Sequence, residues 1–555
     1  MKKYFNDIVA STVEILKFDS SLKEAEENCP FGKEAADCLQ YFLDLAANMG
    51  FETRNYDNYV GEVIFGEGKE FAILAHLDVV PAGSGWKYPP FGGVINDDLS
   101  AGGVAGRKIW GRGAMDDKTP AIVCLYALKA LKDEGLTPSR KIKLIVGCNE
   151  EAGWKCIEHY NKVAEMPEEG FTPDADFPVI YAEKGILHFS VLCPINDAPM
   201  SALNAGERVN MVCDSASAIV TRKAAEKLVG YENPVQGTRL LYDNTTNILR
   251  AEGKSAHGST PQMGANALQA LLGFLAEQNQ EIQRVYEVLF ADVTGLKTLE
   301  DETGKLTMSP DVAEFKNGVL KITTDIRFPA TYPLEAITAK LDEFGLEYVI
   351  ENYQAPLYND PNGKLISTLT AVYNEVTGDN AKPIAIGGGT YARALKCGCG
   401  FGPEMQGDEA TIHQANEYVT FVQIERMSEI YYKAIKAVCV DGSDCDCATR
   451  CDCADIAGCT ADCTACNADC EKACAADCAQ TCSQVSTDEK NKNRVAVLTH
   501  SYHDKPEPKK HRVATITQGY TDKVEPPKTR LVSVKVSLSE PKKKTKLWTV
   551  KAKRD

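Results

Sequence analysis

At 555 residues the chain exceeds what one hydrophobic core supports, and roughly 100–200 residues per domain allow three to five units. A content of 44% hydrophobic and 25% charged residues fits a globular protein, while a net charge of −17 argues against non-specific nucleic-acid binding, which needs a basic surface. No apolar run of membrane-spanning length occurs.

The opening segment, MKKYFNDIVASTVEILKFDSS, leads with lysines as a signal peptide does, but Asn6, Asp7 and Glu14 interrupt any apolar stretch. Ile8, Val9, Val13, Ile15 and Leu16 fall at helical spacing, which predicts an amphipathic first helix and a cytoplasmic protein. Cys124, Cys148 and Cys213 lie in apolar segments, as reduced thiols of that compartment do. Residues 1–190 then alternate helical patterns with short apolar runs, FAILAHLDVV, AIVCLYALKALKDEG and KIKLIVGCNE, and so predict an α/β catalytic domain with a mostly parallel sheet. Chemical residues collect where these runs end, the usual ligand crevice of such sheets.

Residues 191–355 differ. A strand VNMVCDSASAIV, a helix GANALQALLGFLAEQNQEIQ and a strand GVLKITTDIRFPA predict an inserted α+β domain, after which 356–438, with its loop IGGGTYARAL, completes the first domain. Residues 439–482 form a Cys-rich segment holding about twelve of the 21 cysteines. Cys459, Cys463, Cys466, Cys470, Cys474, Cys478 and Cys482 would stripe one face of a helix. Neighbours at that spacing stand roughly 5–6 Å apart at Cβ, too far for a disulfide, so thiolate binding or storage of extra soft metal ions stands beside a low-complexity linker. From 483 to 555 the chain turns basic and repeats with a period of about 18, restarting at Arg494, Arg512 and Arg530. A small β-module closed by KLWTVKAK is expected there.

Five places carry chemistry. His76-Leu77-Asp78 offers an imidazole that can ligate a metal and a carboxylate that can fix its tautomer, although alone the triplet reads as a satisfied polar pair. Gly111 to Lys118 is a glycine-bounded turn delivering Asp116 and Asp117 before an apolar helix, where capping by Asp117 or Thr119 is the simpler role. Glu150-Glu151 closes a strand, so that one carboxylate can bind metal while the other acts as a base. Asp174 and His413 are individually ordinary.

In their order, HLDVVPAG, GRGAMDDK, VGCNEEAGW, FTPDADFPVI and HQANE resemble the co-catalytic metallopeptidases of the aminoacylase and carboxypeptidase group, in particular its PepV dipeptidase branch, over about residues 5–438. The resemblance implies a phosphorylase/hydrolase-like catalytic domain with an inserted lid domain. It implies two divalent metal ions, zinc foremost and manganese next, with His76 and Asp174 on one, Glu151 and His413 on the other, and Asp116 bridging. Asp78 would orient His76, and Glu150 would be the general base for a hydroxide held between the metals. The Asp116–Asp117 peptide would be cis. In the lid domain it implies His257 as an oxyanion donor, and Asn210 and Arg327 as ligands of the substrate carboxylate. Gly388 and Thr390, in the run Gly387 to Thr390, could line the pocket through backbone groups, with a simple tight turn the plainer reading. Thr119 departs from the glycine common at that place, with metal binding expected intact. The implied substrates are short peptides and the implied state is a monomer. An amidohydrolase deacylating N-acyl amino acids is the second reading.

Overall fold

The computed structural model describes residues 1–97 and 105–440, together with the backbone of two short strands, Val532–Val534 and Trp548–Val550. Those two strands pair antiparallel, Val532 opposite Val550. Apart from its first two residues, 439 and 440, the Cys-rich segment lies outside the described residues, as does the remainder of the expected β-module.

The first sheet has nine strands. Its centre is the strand Glu70–His76, EFAILAH, flanked in parallel by Lys141–Gly147 and Glu169–Thr172. Both Glu70–His76 and Lys141–Gly147 are buried along nearly their whole length, as strands covered on two faces must be, and this is why they read as continuous apolar runs. The sheet as a whole is mixed rather than mostly parallel. Asp57 and Asn58 both adopt left-handed backbone, which short polar side chains tolerate. They turn Glu52–Tyr56 back onto Val60–Phe65, which continues antiparallel onto Lys141–Gly147. At the other side Cys397–Gly400 is parallel to Glu169–Thr172, and Leu357–Tyr358 is antiparallel to Ile180–Glu183.

Helix Lys118–Asp133 is buried almost all round because it lies between the central strand and the helices Phe5–Ile15 and Phe421–Cys439. The last of these starts with a capping box, Thr420 and Gln423 each satisfying the other's backbone N–H. The amphipathic pattern at the start of the chain forms the helix Phe5–Ile15, burying Ile8 and Ile15.

A second, eight-stranded sheet is built from residues 185–354 and is antiparallel throughout. The expected boundary at 190/191 falls inside its strand Gly185–Pro194. In the strand Val319–Phe328, Leu320, Ile322, Ile326 and Phe328 enter an apolar core with the helices, and the alternation of side chains sends Asp325 and Arg327 to the opposite face. The single helix expected over 264–283 is two, Ala267–Ala276 and Gln280–Leu289, because Asn279 ends the first turn sequence and caps the second helix with its side chain on the Ile282 N–H, 3.0 Å. The two sheets have separate apolar cores.

Candidate metal and catalytic centre

Parallel pairing brings the carboxyl ends of three strands together, and the expected ligands sit there. His76 is the last residue of its strand and lies in register with Gly147, three residues before Glu150. Asp174 follows the strand Glu169–Thr172. Asp116 arrives from the turn before helix Lys118–Asp133, and His413 from the loop before strand Tyr418–Thr420.

These side chains form two groups that share one member: His76, Asp116 and Asp174, and Asp116, Glu151 and His413. His76 Nε2 stands 2.9 Å from Asp116 Oδ1 and 3.4 Å from Asp174 Oδ2. His413 Nε2 stands 2.9 Å from Asp116 Oδ2 and 2.9 Å from Glu151 Oε1. Burial opposes charge on His76, but the carboxylates of Asp116 and Asp174 beside its Nε2 outweigh it and hold the imidazole well above its ordinary range. Asp116 and Glu151 lift the His413 imidazole to about 10. Burial pushes the Glu150 carboxyl well up, and Asp174, Glu151 and Asp78 push it further.

The backbone holding this set is tightly fastened. The Asp116–Asp117 peptide is cis, as the resemblance implied. Asp117 does not cap the helix with its side chain; its Oδ2 accepts the His76 N–H at 3.1 Å. Buried Glu417 accepts from Arg112 Nη1 (2.7 Å), from the N–H of Gly113 (3.1 Å) and from the N–H of Met115 (2.9 Å), so one carboxylate clamps the turn that presents Asp116. No role had been expected for Glu417, although it closes the HQANE run.

Asp78, expected to orient His76, reaches the ring through its main chain. His76 Nδ1 meets the backbone carbonyl of Asp78 at 2.9 Å, whereas the Asp78 carboxylate stands 3.6 Å from that nitrogen and accepts the N–H groups of Glu150 (2.9 Å) and Glu151 (3.1 Å). Its side chain therefore sets the glutamate pair, and its main chain sets the histidine. Thr390 is buried with its hydroxyl and N–H both on Glu183, and the same hydroxyl caps the turn Tyr391–Ala394, so its side chain is committed to the fold.

A second cluster gathers residues of the eight-stranded sheet. Asp325 holds Arg327 through Nε at 2.9 and 3.0 Å and Nη2 at 3.0 Å, while Arg327 Nη1 donates to the Gly387 carbonyl at 3.1 Å, leaving one N–H on each terminal nitrogen. The loop of His257 packs here, with Gly258 N–H on the Asn210 carbonyl at 2.7 Å. His257 Nδ1 accepts the Ser259 N–H at 3.2 Å and meets the Ser259 hydroxyl at 2.7 Å, which assigns the ring proton to Nε2. Burial and Arg327 lower its pKa, favouring that neutral form. Gly388 offers its carbonyl to Arg393 at 3.1 Å. Loop 387–391 links the two clusters, because Gly387 receives Arg327 while the Tyr391 ring stands edge-on to His76, with centroids 6.2 Å apart. Tyr391 fits because residue 147 is glycine: a Cβ there would lie 2.1 Å from its hydroxyl.

The donor set suits divalent cations. His76 Nε2 and Asp116 Oδ1 are buried and neither makes a well-aligned hydrogen bond, although they face each other. Mixed imidazole and carboxylate donors fit zinc and manganese alike.

The family model for peptidase family M20/M25/M40 matches residues 72–437. The chain is 33% identical over 470 residues to a Staphylococcus epidermidis protein named "Putative dipeptidase", covering 79% of this chain and 98% of that one. The Staphylococcus aureus protein "Putative dipeptidase MW1694" is 33% identical over 474 residues, covering 80% and 99%. Among solved structures, the chain is similar to aminoacylhistidine dipeptidase from Vibrio alginolyticus (14% identity, 77% of this chain and 96% of that one, TM-score 0.49). It is also similar to human carnosine dipeptidase 1 (14%, 78% and 96%, TM-score 0.47). The class is therefore that of a metallopeptidase, an enzyme that hydrolyses peptides. Within that class, the chain belongs to peptidase family M20/M25/M40. Among the described residues no helix is long and apolar enough to cross a membrane.

Proposed function

We propose that this enzyme is a dipeptidase using two divalent cations. The observation that carries the reading is Asp116, whose two oxygens each face a different imidazole at 2.9 Å while each imidazole has a further carboxylate beside it. His76 and Asp174 would hold one cation, Glu151 and His413 the other, and Asp116 both. Bound there, the cations would supply Lewis acidity that lowers the pKa of water and polarises a carbonyl.

The chain's own groups do the rest. Glu150, its backbone fixed by Asp78, takes the proton from the attacking water and delivers it to the leaving amine. His257, with its proton on Nε2, donates to the developing oxyanion. Arg327 offers its two remaining N–H groups, with Asn210, to the substrate's terminal carboxylate, which limits length at that end. At the other end, paired strands Ala175–Asp176 and Pro403–Glu404 set Asp176 and Glu404 beside Asp174, an acidic wall suited to a free α-amine.

Glu150→Gln is the test. Activity on an unblocked dipeptide should fall by about 10²–10⁴-fold with metal content unchanged, and retained turnover would reject the base. Comparison of that dipeptide with its N-acetyl form reads the amine site, since a deacylase would prefer the latter.

A further inference from the structure

We infer that Trp154 is a positioning residue for Glu150, its indole N–H holding one oxygen of the carboxylate so that the other faces the reacting water. The inference rests on the proposed role of Glu150 as base.

The backbone gives the first argument. Trp154 has φ 62° and ψ 22°, the left-handed region, which crowds any residue with a Cβ and is uncommon for a bulky aromatic. Two bonds to one side chain's residue lock it there: the Trp154 N–H donates to the Asn149 carbonyl at 2.8 Å, and the Lys155 N–H to Asn149 Oδ1 at 3.1 Å. This conformation folds the side chain back along the chain. Its Nε1–H then donates to Glu150 Oε1 at 3.0 Å.

The second argument is the support behind the ring. The indole meets fully buried Tyr391 edge-on, centroids 5.2 Å apart at 71°, and Tyr391 is itself held by its hydroxyl 3.1 Å from Cys156 Sγ and by its edge-on contact with His76. Trp154 is thus fixed by a helix start on one side and by the wall behind a proposed metal ligand on the other. A glutamate side chain has several rotatable bonds, and one anchored oxygen removes most of that freedom. Asp78 fixes only the backbone of Glu150. Among the described residues, the indole is the one side chain whose hydrogen bond to the Glu150 carboxylate is seen.

The test is a double-mutant cycle on metal-loaded full-length enzyme, read as kcat and KM on an unblocked dipeptide with metal content measured for each variant. Trp154→Phe keeps an aromatic ring against Tyr391 and removes the donor. The bond is to a charged acceptor, so kcat should fall by about 10–100-fold, with KM and metal content within about twofold. Glu150→Asp withdraws the carboxylate from the indole, so adding Trp154→Phe to it should change kcat by less than about twofold. Wild-type kcat in Trp154→Phe, or its full loss repeated in the Glu150→Asp background, would overturn the inference. Wild-type turnover by Glu150→Gln would instead reject the base itself, a failure visible without any change at Trp154.

Discussion

Asp311 shows how much the polar face of the second sheet costs this protein. It is fully buried beside Asp325, one oxygen accepts from Ser309 Oγ and the other has no hydrogen-bond partner among the described residues. Burial pushes its carboxyl up to about 9, with Asp325 adding to the shift and Arg327 opposing it. The folded state therefore keeps a proton that the unfolded chain releases near pH 4, so stability falls as pH rises from there to about 9, by up to roughly 1.4 kcal/mol per pH unit. Asp311→Asn should flatten the decline and gain at least about 1 kcal/mol at pH 8, measured as urea midpoints between pH 5 and 9. An unchanged pH profile would show that Asp311 is ionised. At this scale the proposed metal ligands were legible because each sits in a compact motif whose order along the chain repeats that of a known group. Glu417 and Trp154 were not, since a carboxylate clamping a guanidinium and two backbone N–H groups and an indole aimed at a carboxylate exist only after folding.

Between elements, Arg393 fastens both crossings from the first sheet to the second. Its Nε meets buried Glu183, Nη2 donates to the Lys184 carbonyl at 2.6 Å, and Nη1 donates to the Ala355 carbonyl at 3.0 Å. Glu183 and Lys184 lead out to strand Gly185–Pro194, and Ala355 leads back from Glu347–Gln354. Arg393→Ala would leave Glu183 buried without its counter-charge and should cost about 3–5 kcal/mol of stability by denaturant unfolding. A loss below about 1 kcal/mol would show that the crossings are held by other contacts. The parallel centre of the first sheet was readable because strands buried on two faces are unbroken apolar runs. Its antiparallel edges were not, because the turn at Asp57 and Asn58 carries no glycine and Glu52–Tyr56 is largely polar. The break at Asn279 escaped the helical pattern for a related reason: the apolar period runs on through it, and only the cap marks the new start.

Across the whole molecule, residues far apart in sequence, from His76 to His413, meet at one end of the first sheet, while Asn210, His257 and Arg327 meet on the second. The match to the family model spans residues 72–437 and so ends before the Cys-rich and basic segments. Whether Asp116 is shared between two cations is read by anomalous diffraction at the metal's absorption edge. Two peaks roughly 3.5–4 Å apart are predicted, one bounded by His76, Asp116 and Asp174 and the other by Asp116, Glu151 and His413. A single peak, or peaks away from Asp116 in enzyme that hydrolyses dipeptides, would contradict that sharing.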